Sequence, residues 1–231
     1  MIQLNQVGIG YQKEILRTND IFLESGKVYA LVGRNGIGKS TFIQTIIGQQ
    51  IVLSGDILID KRSISTFSSK ELSETIALVE TRFEGVEYLT VKDYLALGRA
   101  PFTDAYGRMT SEDWKIVQKT AVDLSIGHLL EKNTDCISDG ERQLCAVGRA
   151  FVQETPIILL DEPTAFLDYI NRNKLLEILV ALASKKNKCI ILSTHDIDLC
   201  LDQAVPLLLA SSGKIELFSS LSKDEILNSM Y

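Results

Sequence analysis

The stretch Val28-Tyr29-Ala30-Leu31-Val32-Gly33-Arg34-Asn35-Gly36-Ile37-Gly38-Lys39-Ser40-Thr41 sets the reading of the whole chain. Its first five residues are apolar without polar alternation, which suits a parallel strand covered on both faces. Gly33 to Thr41 then fits G-x-x-x-x-G-K-[ST], and a helical pattern begins at Lys39. Glycine tolerates the positive φ values that turn successive backbone amides inward, so strand, loop and helix N-terminus together make an anion nest. Gly33, Arg34, Asn35, Gly36, Ile37, Gly38, Lys39, Ser40 and Thr41 are therefore candidate phosphate-binding residues. In such a loop the Lys39 ammonium reaches the β- and γ-phosphates of a nucleoside triphosphate, and the Ser40 hydroxyl binds Mg²⁺. Arg34 fills a variable place in the pattern and either adds positive charge or points to solvent.

Working outward, Ile157-Ile158-Leu159-Leu160-Asp161-Glu162 is a second buried strand that ends in two carboxylates. The carboxyl end of a strand is where ligands sit in open α/β sheets. Asp161 is placed there to hold Mg²⁺, directly or through water, and Glu162 to take or orient the proton of an attacking water. Further apolar runs at Cys189 to Ser193 and Leu207 to Leu209, with a helix over Asn171 to Ser184, continue the strand and helix alternation of an α/β chain. A hairpin is expected over Leu207 to Phe218, turning at Ser211-Ser212-Gly213. The first segment differs: Ile2 to Ile9, Asp20 to Leu23 and Asp56 to Ile59 read as a small antiparallel sheet. From about Thr81 to Thr134 the pattern is helical, with Trp114, Val117, Ala121 and Leu124 on one stripe. The expectation is one domain, 1–231, with a parallel-sheet core, an N-terminal antiparallel β subdomain and an inserted helical subdomain at about 82–140.

The 231 residues carry 24 Lys+Arg against 30 Asp+Glu, a net charge of −6, with 45% hydrophobic residues, 4 Pro and 15 Gly. That balance excludes a disordered or collagenous chain and argues against a nucleic-acid partner. Apolar runs such as Ile157 to Leu160 are far shorter than the roughly 20 residues of a membrane span. The first residues show no secretory pattern. The chain is therefore expected in the cytoplasm, with no direct membrane insertion. Cys136, Cys145, Cys189 and Cys200 form no Cys-x-x-Cys pair, and buried, reduced thiols without a chemical role are expected. The basic run Lys185-Lys186-Asn187-Lys188 reads as a solvated turn between a helix and a strand.

Ile137-Ser138-Asp139-Gly140-Glu141-Arg142-Gln143 lies between the phosphate loop and the acidic strand. It resembles the L-S-G-G-Q signature of ATP-binding cassette (ABC) ATPases, and the rest of that family's set follows in order along essentially the whole chain. The resemblance implies the ABC ATPase fold, ATP and Mg²⁺ as ligands, and ATP hydrolysis. Tyr11 resembles the adenine-stacking aromatic and offers a flat face for a purine. Glu162-Pro163-Thr164-Ala165-Phe166-Leu167-Asp168 looks like the catalytic glutamate running into the D-loop. Ser193-Thr194-His195-Asp196 looks like the switch-histidine segment, which makes His195 a γ-phosphate contact, although a lone His ending an apolar strand is more often a capped core residue. His128 has no such support and reads as structural. Ser138 and the Gly140 amide, at a helix N-terminus, are suited to donate to a γ-phosphate. In the family they do so across a homodimer, where the signature of one subunit closes the nucleotide of the other.

Three departures from the family pattern stand out. Thr81 takes the place of the usual Gln after the strand Ile76-Ala77-Leu78-Val79-Glu80, and contacts Mg²⁺ only with a shorter reach. Asp139 and Glu141 replace the Gly and Gln of the signature, bringing carboxylates toward a triphosphate.

One cassette is present, with about 120 residues between Lys39 and Asp161. That spacing excludes the coiled-coil DNA-repair and chromosome-structure members of the family and disfavours the two-cassette ribosomal ones. A separate ATPase subunit docked on membrane permease subunits remains, peripheral on the inner face of the cell membrane. The stretch Leu89-Thr90-Val91-Lys92-Asp93-Tyr94-Leu95-Ala96-Leu97-Gly98-Arg99-Ala100-Pro101-Phe102 looks like the V-x-x-x-V-x-x-G-R-x-P-[HFY] segment of ATPases serving iron-siderophore, haem and cobalamin uptake. Arg82, Phe83, Glu84 and Tyr88 are the residues expected to meet a permease. The competing readings are a soluble-partner ATPase of the iron-sulfur assembly type and a weakly hydrolysing regulatory nucleotide-binding module.

Overall fold

The computed structural model describes residues 1–104, 106–219 and 224–226. The chain opens with β1 (Ile2–Gly10), which turns back as β2 (Glu14–Thr18), and β3 (Ile21–Leu23) pairs with the far end of β1. β4 (Val28–Gly33) leads through the phosphate loop into α1 (Lys39–Ile46). β5 (Ser54–Ile59) and the short β6 (Arg62–Ser63) extend the antiparallel sheet beyond β1. α2 (Ser69–Thr75), closed at its start by a reciprocal Ser68 and Glu71 capping box, runs into β7 (Ile76–Val79). Next come three helices: α3 (Val91–Ala96), α4 (Ser111–Asp123) and α5 (Asp139–Val152). β8 (Ile157–Leu160), α6 (Tyr169–Lys185), β9 (Cys189–Ser193) and α7 (Ile197–Asp202) follow, and the hairpin of β10 (Leu207–Ser211) and β11 (Lys214–Phe218) comes after them.

β10, β4, β9, β8 and β7 lie side by side in that order, all parallel. Consecutive residues of each strand point to opposite faces. Val28, Ala30, Val32, Ile158, Leu160, Ile190 and Leu192 meet the helical side, packing with Phe151, Leu175 and Leu179. Tyr29, Leu31, Ile157, Leu159 and Ile191 meet α1 and the antiparallel strands through Phe42, Ile46, Leu4 and Ile57. Phe42 and Phe151 are fully buried, each contributing roughly 1.5–3 kcal/mol of burial free energy. The strands are apolar along their whole length because both faces are covered.

The small antiparallel sheet is not a separate layer in hydrogen-bonding terms. β11 runs parallel to β2 through Lys214 and Ile215 against Arg17 and Thr18, so the two sheets join into one. β2 carries two charged residues in five, which hides it from a search for apolar runs; only Leu16 and Thr18 point inward. Two expectations on side chains need correction. Cys145, Cys189 and Cys200 are buried, with burial pushing each thiol up to about 12, but Cys136 is exposed because it sits in the loop before α5. The run 185–188 is the expected turn between α6 and β9, exposed at Lys185 and Asn187, but it is solvated only in part. Lys185 and Lys186 both pair with Asp123, and Lys188 is 6% exposed, donating to the Thr155 carbonyl.

The residues Gly98 to Phe102 acquire a packing role. A Cβ on Gly98 would stand 2.3 Å from the Arg149 carbonyl oxygen of α5, so only glycine allows this approach. The Arg99 guanidinium enters the gap, donating from Nε to Asp113 Oδ1 (2.8 Å) and from Nη1 to the Val152 carbonyl (3.1 Å). Its other flank lies 4.5 Å from the Phe102 ring centroid. Both side chains of the Arg99–Asp113 pair are only 10% exposed. Hydrogen bonds from the Thr110 hydroxyl and amide, with the Arg99 charge, hold the Asp113 carboxyl below its usual range. Arg99→Met, which leaves that carboxylate without its cation, should lower the unfolding free energy in urea by about 3 kcal/mol. An unchanged midpoint would show that the pair contributes nothing.

Candidate functional site

The parallel register sets the carboxyl ends of β4, β9, β8 and β7 in one row, and each end delivers a candidate group. After β4, Gly36 and Gly38 adopt φ of 76° and 117°, values open to glycine at little cost, and the loop wraps toward the start of α1. Lys39 is 6% exposed and donates from Nζ to the Gly33 carbonyl (2.9 Å) and the Arg34 carbonyl (3.3 Å), spanning the loop mouth. Burial pushes its amine below the usual lysine range, partly offset by the charges of Glu162 and Asp161. A cation held short of solvent, with two neutral carbonyls as its hydrogen-bond partners, is suited to take a phosphate as counter-charge.

After β8, Asp161 accepts two hydroxyl hydrogen bonds: from Ser40 to Oδ2 (3.1 Å) and from Ser193 to Oδ1 (2.6 Å). The Ser193 oxygen also receives the Glu162 amide at 2.8 Å. Glu162 itself has φ of 47°, a left-handed value that carries strain for a side chain with a Cβ and turns the chain sharply. That turn sends the carboxylate to His195, whose Nε2 lies 2.8 Å from Glu162 Oε1. The Glu162 and His195 side chains are 31% and 44% exposed, so the pair is open to solvent on one side. Ser193 went unread in the sequence, where it appeared only as part of the switch segment. Asp196 was likewise read without a role. It accepts from Thr164 Oγ1 and Arg172 Nη1, both at 2.9 Å, tying residues 162–168 to residues 194–196.

The Tyr11 ring is 59% exposed at the β1–β2 turn. Its hairpin leans on the phosphate loop, since a Cβ on Gly38 would lie 2.8 Å from Leu16 and 3.0 Å from Ile15. Asp168 caps α6, accepting from the Asn171 amide at 2.9 Å. Thr81 is half-buried just beyond β7 and makes no side-chain hydrogen bond to Ser40, Asp161 or Glu162 among the described residues.

Ser138 caps α5, and Gly140 sits in the first turn, where a Cβ would come within 3.1 Å of Leu167. The acidic replacements turn inward to their own helix. Glu141 accepts from the Ser138 amide and hydroxyl, both at 2.8 Å, and these bonds hold its carboxyl below the usual range. Asp139 is paired with Arg142, which lowers its carboxyl in the same way. Phe83, among the residues expected to meet a permease, is half-buried and stacks on Tyr94 with centroids 4.0 Å apart, whereas Tyr88 is 88% exposed. His128 is exposed on the segment before α5.

Ser40 and Asp161 together offer hard oxygen ligands. Among the described residues there is no cluster of three or more His, Cys, Asp or Glu able to cage a metal. A cation here would be of the kind that takes one or two protein oxygens and completes its shell with phosphate and water.

A family model described as "ABC transporter" matches residues 16–165. An "uncharacterized ABC transporter ATP-binding protein" of Methanocaldococcus jannaschii is 33% identical over 235 residues, which span 100% of this chain and 81% of that protein. The ferric enterobactin transport ATP-binding protein FepC of Escherichia coli is 32% identical over 211 residues, 91% of this chain and 78% of its own. Among solved structures, an ABC transporter assigned to the metal-chelate type, in an inward-facing conformation, matches with a TM-score of 0.85. It is 25% identical and covers 99% of this chain and 88% of that one. No helix among the described residues is long and apolar enough to cross a membrane. The family match extends over well over half the chain and contains the phosphate loop and the acidic strand end, so this chain belongs to the ABC transporter family, whose ATP-binding subunits hydrolyse ATP to power transport.

Proposed function

We propose that this chain is the ATP-hydrolysing subunit of an importer of ferric siderophores or related metal chelates, working against the inner face of the membrane through permease subunits. The hydrogen-bonded chain Ser40–Asp161–Ser193–Glu162–His195 carries the hydrolytic part of this reading, because it links a phosphate loop to a carboxylate poised at its mouth. The cargo class is supported by the ferric enterobactin relative and the metal-chelate transporter. The Gly98 to Phe102 stretch supports it less, since packing already accounts for Gly98 and Arg99.

In the proposed cycle the loop amides and Lys39 hold the phosphates, and the exposed face of Tyr11 stacks on adenine. Ser40 and Asp161 would hold Mg²⁺, which supplies charge neutralisation on the phosphates. Glu162 accepts the proton of the attacking water, and His195 fixes the Glu162 carboxylate and stands ready for the γ-phosphate. Ser138 and the Gly140 amide, at the N-terminus of α5, meet the γ-phosphate of a second copy, the helical stretch of about residues 82–140 acting as the arm that carries them. Asp168, which follows the Leu167 that packs at this helix start, takes part in the same contact. Thr81 links the site to the helical stretch at most through water.

Glu162→Gln should lower Mg²⁺-ATPase turnover by on the order of 10²- to 10⁴-fold while ATP binding is kept. Normal turnover in that variant would remove Glu162 as the base. Lys39→Ala acts earlier, weakening ATP affinity itself; equal affinity by equilibrium binding would count against the phosphate-loop assignment. Ser193→Ala leaves Asp161 and the Glu162 amide each one partner short, and should cost about 1–3 kcal/mol of transition-state stabilisation, or roughly 5- to 150-fold in kcat. A wild-type kcat in that variant would mean that Ser193 does not position either carboxylate.

A further inference from the structure

The geometry points to a second anion site: we propose that the cavity between α4 and the link from α6 to β9 binds a small soluble polyanion of the phosphate class. It is independent of the nucleotide site, sharing no residue with the phosphate loop or the acidic strand end. Its volume is about 520 Å³, within the range of small-ligand pockets.

Charge argues for an anion. Four ammonium groups line the cavity, Lys115 and Lys119 one turn apart on α4 and Lys186 and Lys188 from the opposite wall, against the two carboxylates Glu112 and Glu154. That is a local excess of two positive charges on a chain of net charge −6. The carboxylates are already engaged: Glu112 with Lys115 (3.0 Å) and Glu154 with Arg99 (3.2 Å). Lys186 is likewise taken by Asp123 (3.1 Å).

Two cations remain. Lys119 is exposed and has no ion pair among the described residues, and Lys188 is 6% exposed with a backbone carbonyl as its hydrogen-bond partner. Desolvation and the neighbouring Lys186 charge push the Lys188 amine down to about 8, which marks an inner end short of counter-charge. A dianion seated between Lys119 and Lys188 supplies it, and ammonium groups bind phosphate as point charges from any side. The half-buried Ile116 adds an apolar surface for the carbon part of a phosphorylated metabolite. Because α4 and the α6–β9 link lie far apart in the chain, such a ligand would brace the helical stretch against the sheet core.

Tripolyphosphate is the probe, titrated by calorimetry into the full chain carrying Lys39→Ala so that the phosphate loop does not mask the signal. Saturable binding is expected, with slowed hydrogen exchange in α4 and at residues 185–189. Adding Lys115→Glu and Lys119→Glu, both exposed positions that keep good helix formers, should weaken binding by roughly tenfold or more. The melting temperature without ligand should stay unchanged. Absence of binding in the Lys39→Ala chain, equal binding after the charge reversals, or protection confined to residues 33–41 would each overturn the proposal. Capture by phosphatidylglycerol vesicles without tripolyphosphate binding would overturn it as well, since the site would then serve a lipid surface.

Discussion

One carboxylate joins the parts of this site. Asp161 takes hydroxyl hydrogen bonds from Ser40 at the start of α1 and from Ser193 at the end of β9, so three chain segments far apart in sequence converge on one side chain. Hydrogen bonds to a charged acceptor contribute about 1.5–3 kcal/mol each, enough to hold the loop mouth in one arrangement. The bonds exist only because β4, β9 and β8 run parallel with their ends in line, Leu31 opposite Ser193 and Leu160 opposite Leu192. The Ser193 oxygen then passes the constraint to Glu162 through its amide, and the left-handed turn there directs the carboxylate to His195. Fold and chemistry meet at this point, since a slip of one strand by a residue would invert its faces and dissolve the cluster.

The acidic signature is balanced within its own helix. In isolation, Asp139 and Glu141 would repel an approaching triphosphate. The structure gives Asp139 to Arg142 and folds Glu141 back onto the Ser138 amide and hydroxyl, where the positive end of α5 also favours it. What α5 presents outward at its start is then closer to neutral than the letters suggest, and Gly140 keeps its amide in the first turn against Leu167.

Much of this was legible in the sequence because the deciding features are local. The phosphate loop is a continuous run whose glycine positions dictate backbone shape, and the apolar strands reveal themselves by being buried on both faces. The fate of long polar side chains was not legible. Lys188 looked like part of a solvated turn, yet it is buried against the carbonyl of Thr155, 33 residues back in the chain. Ser193 carried no signal of its own, because a serine at a strand end is common; only the parallel pairing of β8 and β9 brings it to Asp161. Strand β2 was hidden by its two charged residues, Glu14 and Arg17, and with it the seam that unites the two sheets. In each case the missing information was a contact between distant segments, which periodicity does not encode.

Hydrolysis at this site requires that the nucleotide be shared between two copies, with α5 of one facing the phosphate loop of the other. Sedimentation velocity of the Glu162→Gln chain with and without Mg²⁺ and ATP tests this most directly, because slowed hydrolysis preserves the bound triphosphate. The expected result is a monomer without nucleotide and a dimer with ATP, the dimer being lost when Ser138 and Gly140 are also replaced. A chain that binds ATP tightly and sediments as a monomer throughout would contradict it.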